Sequence, residues 1–136
     1  VTTQATTVLC GLENGLSAEL GGVLRTLGQK VHILPFRSPR RCLSAVARFG
    51  ADLIFCPCRV RSLRAMLRQK PDLPIVVVSR LPETTEWLDA IEAGACDYCA
   101  PPFEPRQVQW ILDSVFKHRP APLVPRAATS QSEGAE

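Results

Sequence analysis

No apolar run in the 136-residue chain approaches the ~20 residues that a membrane-spanning helix needs, and the opening segment Val1–Thr7 is polar. Neither a bilayer protein nor a secretory leader fits that pattern, so no membrane partner and a cytoplasmic location are expected. Aromatic residues are few, 6% of the chain, and only Phe36 and Phe49 fall among the arginines of its middle third, where periodicity places them in or near the core. Single-stranded nucleic acid is held by rings interleaved with cations, and a net charge of +3 is too small to attract a polyanion by itself. A nucleic-acid partner is therefore not expected. Also missing are a repeat at solenoid period, a paired nucleophile and base, and a glycine-rich phosphate loop. The expectation is a protein that is not an enzyme and takes no small-molecule substrate.

What is present is a core. Hydrophobic residues make up 46% of the chain, enough for one domain at this length and too little chain for two. Short apolar strings alternate with stretches of helical period, the pattern of βα repeats with a parallel sheet covered on both faces. Residues 7–10 form the first strand, followed by a helix with Leu16, Leu20, Val23, Leu24 and Leu27 on one stripe and Gly28 at its end. Residues 31–34 form the second strand, and Ser38-Pro39 opens a helix that buries Cys42, Ala45, Val46 and Phe49 before Gly50. The third strand covers 51–56 and leads to a short basic helix with Leu63, Met66 and Leu67 on one face, stopped by Pro71. Ile75-Val76-Val77-Val78 is apolar on both pleat faces, as a central parallel strand requires. A helix from about Glu83 to Ala93 carries a Leu88/Ile91 stripe, a short strand covers 98–100, and a last helix begins at Pro105 with Val108, Ile111, Leu112, Val115 and Phe116 inward. Past His118 the chain turns to Pro, Ala, Ser and Glu without period. Residues 1–118 are read as the domain and 119–136 as a flexible tail or linker.

Three stretches, Leu73-Pro74-Ile75-Val76-Val77-Val78-Ser79, Ala90-Ile91-Glu92-Ala93-Gly94-Ala95-Cys96-Asp97-Tyr98 and Pro101-Pro102-Phe103-Glu104-Pro105, follow one another in a familiar order and register. Together they resemble the second half of a response-regulator receiver domain. Receivers end the fourth strand with Ser or Thr, close the next helix with Glu-Ala-Gly-Ala and finish the fifth strand at Lys-Pro-Phe. Ser79 and Pro101 stand at the Ser/Thr and Lys positions. Residues 51–56 resemble the third strand, whose next position carries the phospho-accepting aspartate; here it is Pro57. Where receivers end the first strand on an acidic pair often followed by Glu, this chain has Gly11-Leu12-Glu13. The resemblance runs from Val8 to Phe116 and implies a flavodoxin-like, doubly wound α/β fold: a five-stranded parallel sheet of order 2-1-3-4-5 with helices on both faces. It also implies a cis peptide at Pro101-Pro102.

Phosphoryl transfer to a receiver needs a carboxylate nucleophile, a divalent cation on neighbouring carboxylates and a cation facing the phosphoryl charge. Pro57 has no nucleophile, Gly11 and Leu12 offer no side-chain oxygen to Mg²⁺, and Pro101 carries no ammonium group. Realigning the third strand by a residue or two restores nothing, because no carboxylate lies between Asp52 and Asp72. Asp52 matches the structural acid that receivers carry at the strand's start. A degenerate receiver follows, without cofactor and with Mg²⁺ binding lost, working as a protein-interaction module in two-component signalling.

Its partner is expected to be a signalling protein or a second copy of the chain. Nine cations lie between Arg37 and Lys70, Arg61 and Arg64 among them, against the one acid Asp52. Eight acids lie between Pro71 and Phe116, against Arg80 and Arg106. Docking of an acidic partner or head-to-tail self-association would use that asymmetry; an ordinary solvated surface is the plain alternative. In receivers the fourth helix, fifth strand and fifth helix form the partner face, so an exposed Trp87 would be an anchor, and Tyr98 matches the aromatic that receivers switch between rotamers. A second reading is a thiol redox or soft-metal sensor. Six cysteines are many, and Cys56-Pro57-Cys58 with Cys96 and Cys99, joined by Cys10, fall near strand ends. Strand alternation sends several of these thiols to different faces, and small buried hydrophobes are the simpler account. His32, His118 and Trp110 are read as packing or surface.

Overall fold

The computed structural model describes residues 5–80 and 84–118. The expected tail over 119–136 and the start of the fourth helix at Glu83 lie outside the described residues. Five strands, β1 (Thr6–Cys10), β2 (Lys30–Leu34), β3 (Leu53–Pro57), β4 (Ile75–Val78) and β5 (Asp97–Cys99), alternate with α1 (Asn14–Thr26), α2 (Pro39–Phe49), α3 (Val60–Gln69), α4 (Thr84–Glu92) and α5 (Pro105–His118). All pairings are parallel and the spatial order is β2-β1-β3-β4-β5.

Period-two alternation divides the core into two layers. Leu9, Leu53, Phe55, Val76 and Val78 point to one face, where they meet Leu16, Leu20 and Leu24 of α1 and Val108, Leu112 and Val115 of α5. Val8, Cys10, Ile54, Cys56, Ile75 and Val77 point to the other, against Val46 of α2, Leu63 and Met66 of α3 and Ala90 of α4. Every residue of β4 is buried, which explains why that segment has no polar position.

Helix ends follow the local chemistry. The Ser38 hydroxyl accepts from the Arg41 N–H at 3.2 Å, with Pro39 in the first turn, so α2 begins where its cap allows. Gly94, at φ 112°, ends α4 and leaves room for a neighbour: a Cβ there would lie 2.5 Å from Leu67 Cδ1 of α3. The glycine of the Glu-Ala-Gly-Ala motif therefore both turns the chain and lets α3 approach.

Two sequence-based expectations change. The Leu88/Ile91 stripe does not enter the core. Leu88 is 52% and Ile91 39% exposed, and the buried contact of α4 is Ala90, because small residues set the helix close to the sheet. Phe49 is half-buried rather than buried; its ring stacks on His32 with centroids 3.9 Å apart, giving that histidine a partner.

Asp52 secures the start of the sheet. Its carboxylate accepts from the Thr6 N–H at 2.9 Å while its own N–H donates to the Thr6 carbonyl at 2.7 Å, tying β1 to β3 before their ladder begins. A hydrogen bond to an ionised group contributes roughly 1.5–3 kcal/mol, so Asp52→Ala is expected to lower unfolding stability by about that amount in urea titration; an unchanged midpoint would remove this role.

Candidate functional site

The C-terminal ends of the parallel strands converge on one edge of the sheet, the crevice where this topology places its ligands. Gly11, Leu12 and Glu13 follow β1, Pro57 ends β3, Ser79 follows β4, and Pro101 lies two residues beyond β5. The register carries Pro57 beside Val78 and Val78 beside Cys99, so the ends of β3, β4 and β5 are adjacent.

Gly11 is held in the left-handed region at φ 72°, its N–H donating to the Leu34 carbonyl at 3.0 Å. A Cβ at this position would lie 3.0 Å from the Phe36 carbonyl oxygen and 3.1 Å from Arg37 Cγ. The backbone itself has adjusted to glycine, and a side chain here would be strained. Leu12 packs toward the α1/α5 core layer rather than into the crevice. Glu13 is exposed, and its Oε1 accepts from Arg80 Nε at 3.0 Å in an ion pair on the surface. The peptide between Pro101 and Pro102 is cis, as the resemblance implied. The loop around it is tied back by Glu19 of α1, whose carboxylate accepts from the Phe103 N–H at 3.2 Å.

Beside the crevice Tyr98 is half-buried, and its hydroxyl donates to the Glu86 carboxylate of α4 at 2.5 Å. Burial first, and then the Glu86 hydrogen bond, push the phenol up to about 12, while a hydrogen bond with Ser79 acts the other way. Tyr98, Ser79 and Glu86 therefore form one polar group linking β4, β5 and α4. The Cys58 thiol joins it, donating to the Glu86 carbonyl at 3.8 Å. Trp87 of α4 is 45% exposed and Trp110 of α5 is 76% exposed. Arg61 and Arg64 are exposed on α3.

The thiols do not assemble as their spacing implied. Cys56 lies in the α2–α3–α4 layer and Cys99 in the α1/α5 layer, on opposite faces of the sheet. Cys96 is exposed at the opposite end of β5, its N–H donating to the Ile75 carbonyl at 2.8 Å. The cysteines that do meet are Cys10, Cys42 and Cys56, around one small cavity that also touches Arg37 and Arg59. Cys10 is raised by donating to Cys42, which is lowered by the same bond, and burial pushes Cys56 up to about 12. Among the described residues no group of three or more His, Cys, Asp or Glu side chains is arranged to hold a metal ion. Cys42 was out of reach of sequence reasoning because it enters from a helix. Glu86 and Arg80 were missed for a similar reason: their partners Tyr98 and Glu13 lie on other elements, and no spacing rule connects them.

Five parallel strands in this order, with α1 and α5 on one face and α2, α3 and α4 on the other, superpose on solved receivers over most of the chain. The signal receiver domain of an HD domain-containing protein from Pseudomonas fluorescens gives a TM-score of 0.71 at 16% identity, covering 86% of this chain and 98% of that one. A response regulator from Thermotoga maritima gives 0.74 at 17% identity, covering 85% and 99%. The chain has the receiver fold. In sequence this receiver-fold chain is 35% identical over 69 residues to protein PetR of Rhodobacter capsulatus, covering 51% of this chain and 27% of that protein. It is 27% identical over 64 residues to ycf27 of Cyanophora paradoxa, covering 47% and 27%. It thus spans about a quarter of the length of these curated relatives. No family model matches the chain.

Two outcomes follow. Tyr98 is the only tyrosine, so its ionisation is readable by near-ultraviolet absorbance. Its pKa is raised above the unfolded value of 10, so the stability it contributes is full below pH 10 and is lost as pH rises toward about 12. The phenol is expected to stay protonated above pH 10 in the folded protein and to ionise earlier in Glu86→Ala; a folded-state midpoint at 10 would contradict the contact. In timed alkylation Cys96 is expected to react first, and Cys10, Cys56 and Cys99 only on unfolding. Equal rates at all six thiols would show that the packing is looser than described.

Proposed function

We propose that this chain is a degenerate receiver domain that works as a phosphorylation-independent protein-interaction module in two-component signalling. The observation that carries the reading is the joint state of the strand ends. Pro57 stands where an acceptor carboxylate would, Gly11 is fixed in a left-handed conformation that disfavours any acid, and Glu13 is already paired with Arg80. Pro101 offers no charge to a phosphoryl oxygen. The residues present do not fit Mg²⁺, which favours several oxygen donors in octahedral array. Three separate requirements of the transfer are lost together, and the scaffold is retained.

The interaction role is supported by what the surface presents. Trp87, Leu88 and Ile91 of α4 and Trp110 of α5 are four of the five large hydrophobic residues found exposed among the described residues. Tryptophan is among the residues that carry most binding energy at interfaces, and on this fold these two helices flank β5. The Tyr98–Glu86 hydrogen bond ties α4 to β5 without a phosphoryl group, so the face is held in one arrangement by the chain's own side chains.

Intact-mass measurement after incubation with a small phosphodonor and Mg²⁺ tests the reading. No mass gain is expected for the wild type. None is expected for Pro57→Asp either, because a restored carboxylate still lacks metal ligands and cation. Stoichiometric phosphorylation of the wild type would overturn the proposal, and efficient phosphorylation of Pro57→Asp would reduce the change to a single lesion.

A further inference from the structure

A groove of about 690 Å³ runs between α2 and α3. Leu43, Ala47 and Ala65 supply apolar surface to it, and Arg40, Arg68 and Lys70 supply charge. Arg61 and Arg64 stand exposed on α3 beside it, and Arg41 and Arg48 lie over the Phe36 and Phe49 rings of the same region, at 5.4 and 5.5 Å. The salt bridge found among the described residues, between Arg80 and Glu13, uses none of these cations. The groove therefore combines an apolar lining with a dense positive field that no ion pair among the described residues compensates.

The chemistry that fits it is an acidic helix with large apolar side chains, and this chain displays one. On α4, Trp87, Leu88 and Ile91 are 45%, 52% and 39% exposed, and Asp89 and Glu92 are exposed on the same helix. Within one molecule α4 cannot reach the groove, because α3 packs between α2 and α4 in their shared layer. A second copy can supply it.

We propose that the α2–α3 groove of one copy seats helix α4 of another. This rests on the interaction-module reading and names its partner. Groove and helix are different surfaces, so two copies can exchange α4 helices reciprocally or a series can join head to tail; the contact is the same in both. Apolar contact supplies the seat, and the opposite charges steer and orient it, which makes association sensitive to salt.

Sedimentation equilibrium of the full chain, with two charge-reversed variants, tests this. The wild type is expected to self-associate near 100 µM in about 50 mM salt, and to weaken at least roughly tenfold in about 500 mM salt as screening shortens. Arg40→Glu/Arg68→Glu and Asp89→Arg/Glu92→Arg are each expected to be monomeric alone, since like charges then face one another. Their equimolar mixture is expected to associate, because an acidic groove then meets a basic α4 and the untouched groove meets the untouched α4. All four changes are at exposed positions, and circular dichroism checks that both variants are folded. A monomeric wild type, variants that associate as the wild type does, or a mixture of folded variants that stays monomeric would each overturn the inference. The outcomes separate from those of the parent reading: a monomeric wild type sinks the α4 seat alone, whereas phosphoryl acceptance sinks the module reading whatever the mass.

Discussion

A parallel sheet buried on both faces is the constraint on which the rest of this structure depends. Connections between parallel strands cover both surfaces with helices, so a central strand can hold few polar side chains and its hydrogen bonds must close within the sheet. β4 is buried throughout, and β3 is buried from Leu53 to Cys56. Residues inside the strands are thereby committed to packing. Those just past the strand ends are not. Gly11, Pro57 and Pro101 sit at or just past strand ends, whereas Leu12 packs toward the α1/α5 layer.

The same division explains what was legible in the sequence. The two layers, the Ser38-Pro39 cap and the Gly94 turn follow from period, propensity and motif, all local signals with a direct physical cause, whereas the strand order came with the resemblance to receivers. The interior of α4 was misread because its apolar residues keep helical spacing, yet the sheet is met by Ala90; spacing says which side chains share a face, not how closely that face approaches. Strand alternation had already sent several thiols to different faces; what spacing could not announce is that Cys42 arrives from α2 to meet Cys10 and Cys56. The Tyr98–Glu86 and Glu13–Arg80 pairs join elements distant in sequence, where no periodicity can announce a contact.

Charge is arranged on a larger scale than any of these pairs. Cations crowd α2 and α3, acids follow from α4 onward, and the polar group of Tyr98, Ser79, Glu86 and Cys58 lies beside the crevice at the boundary of the two regions. In a receiver whose strand ends bind a phosphoryl group, the signal begins at that crevice and travels to the α4 face. Here Gly11 holds a left-handed conformation, Glu13 pairs with Arg80 on the surface, and Tyr98 ties β5 to α4 through Glu86. On the proposed reading, what remains is an interaction surface without the chemical step that would gate it.

The most direct test of that account is backbone amide NMR of the folded chain titrated with Mg²⁺ and beryllium fluoride, a mimic of a bound phosphoryl group. The account predicts that the amides of Gly11, Glu13, Cys58 and Ser79 keep their chemical shifts at saturating additions, and that Tyr98 and α4 do not move. Specific, saturable shifts at these strand ends, propagating to Tyr98, would contradict it.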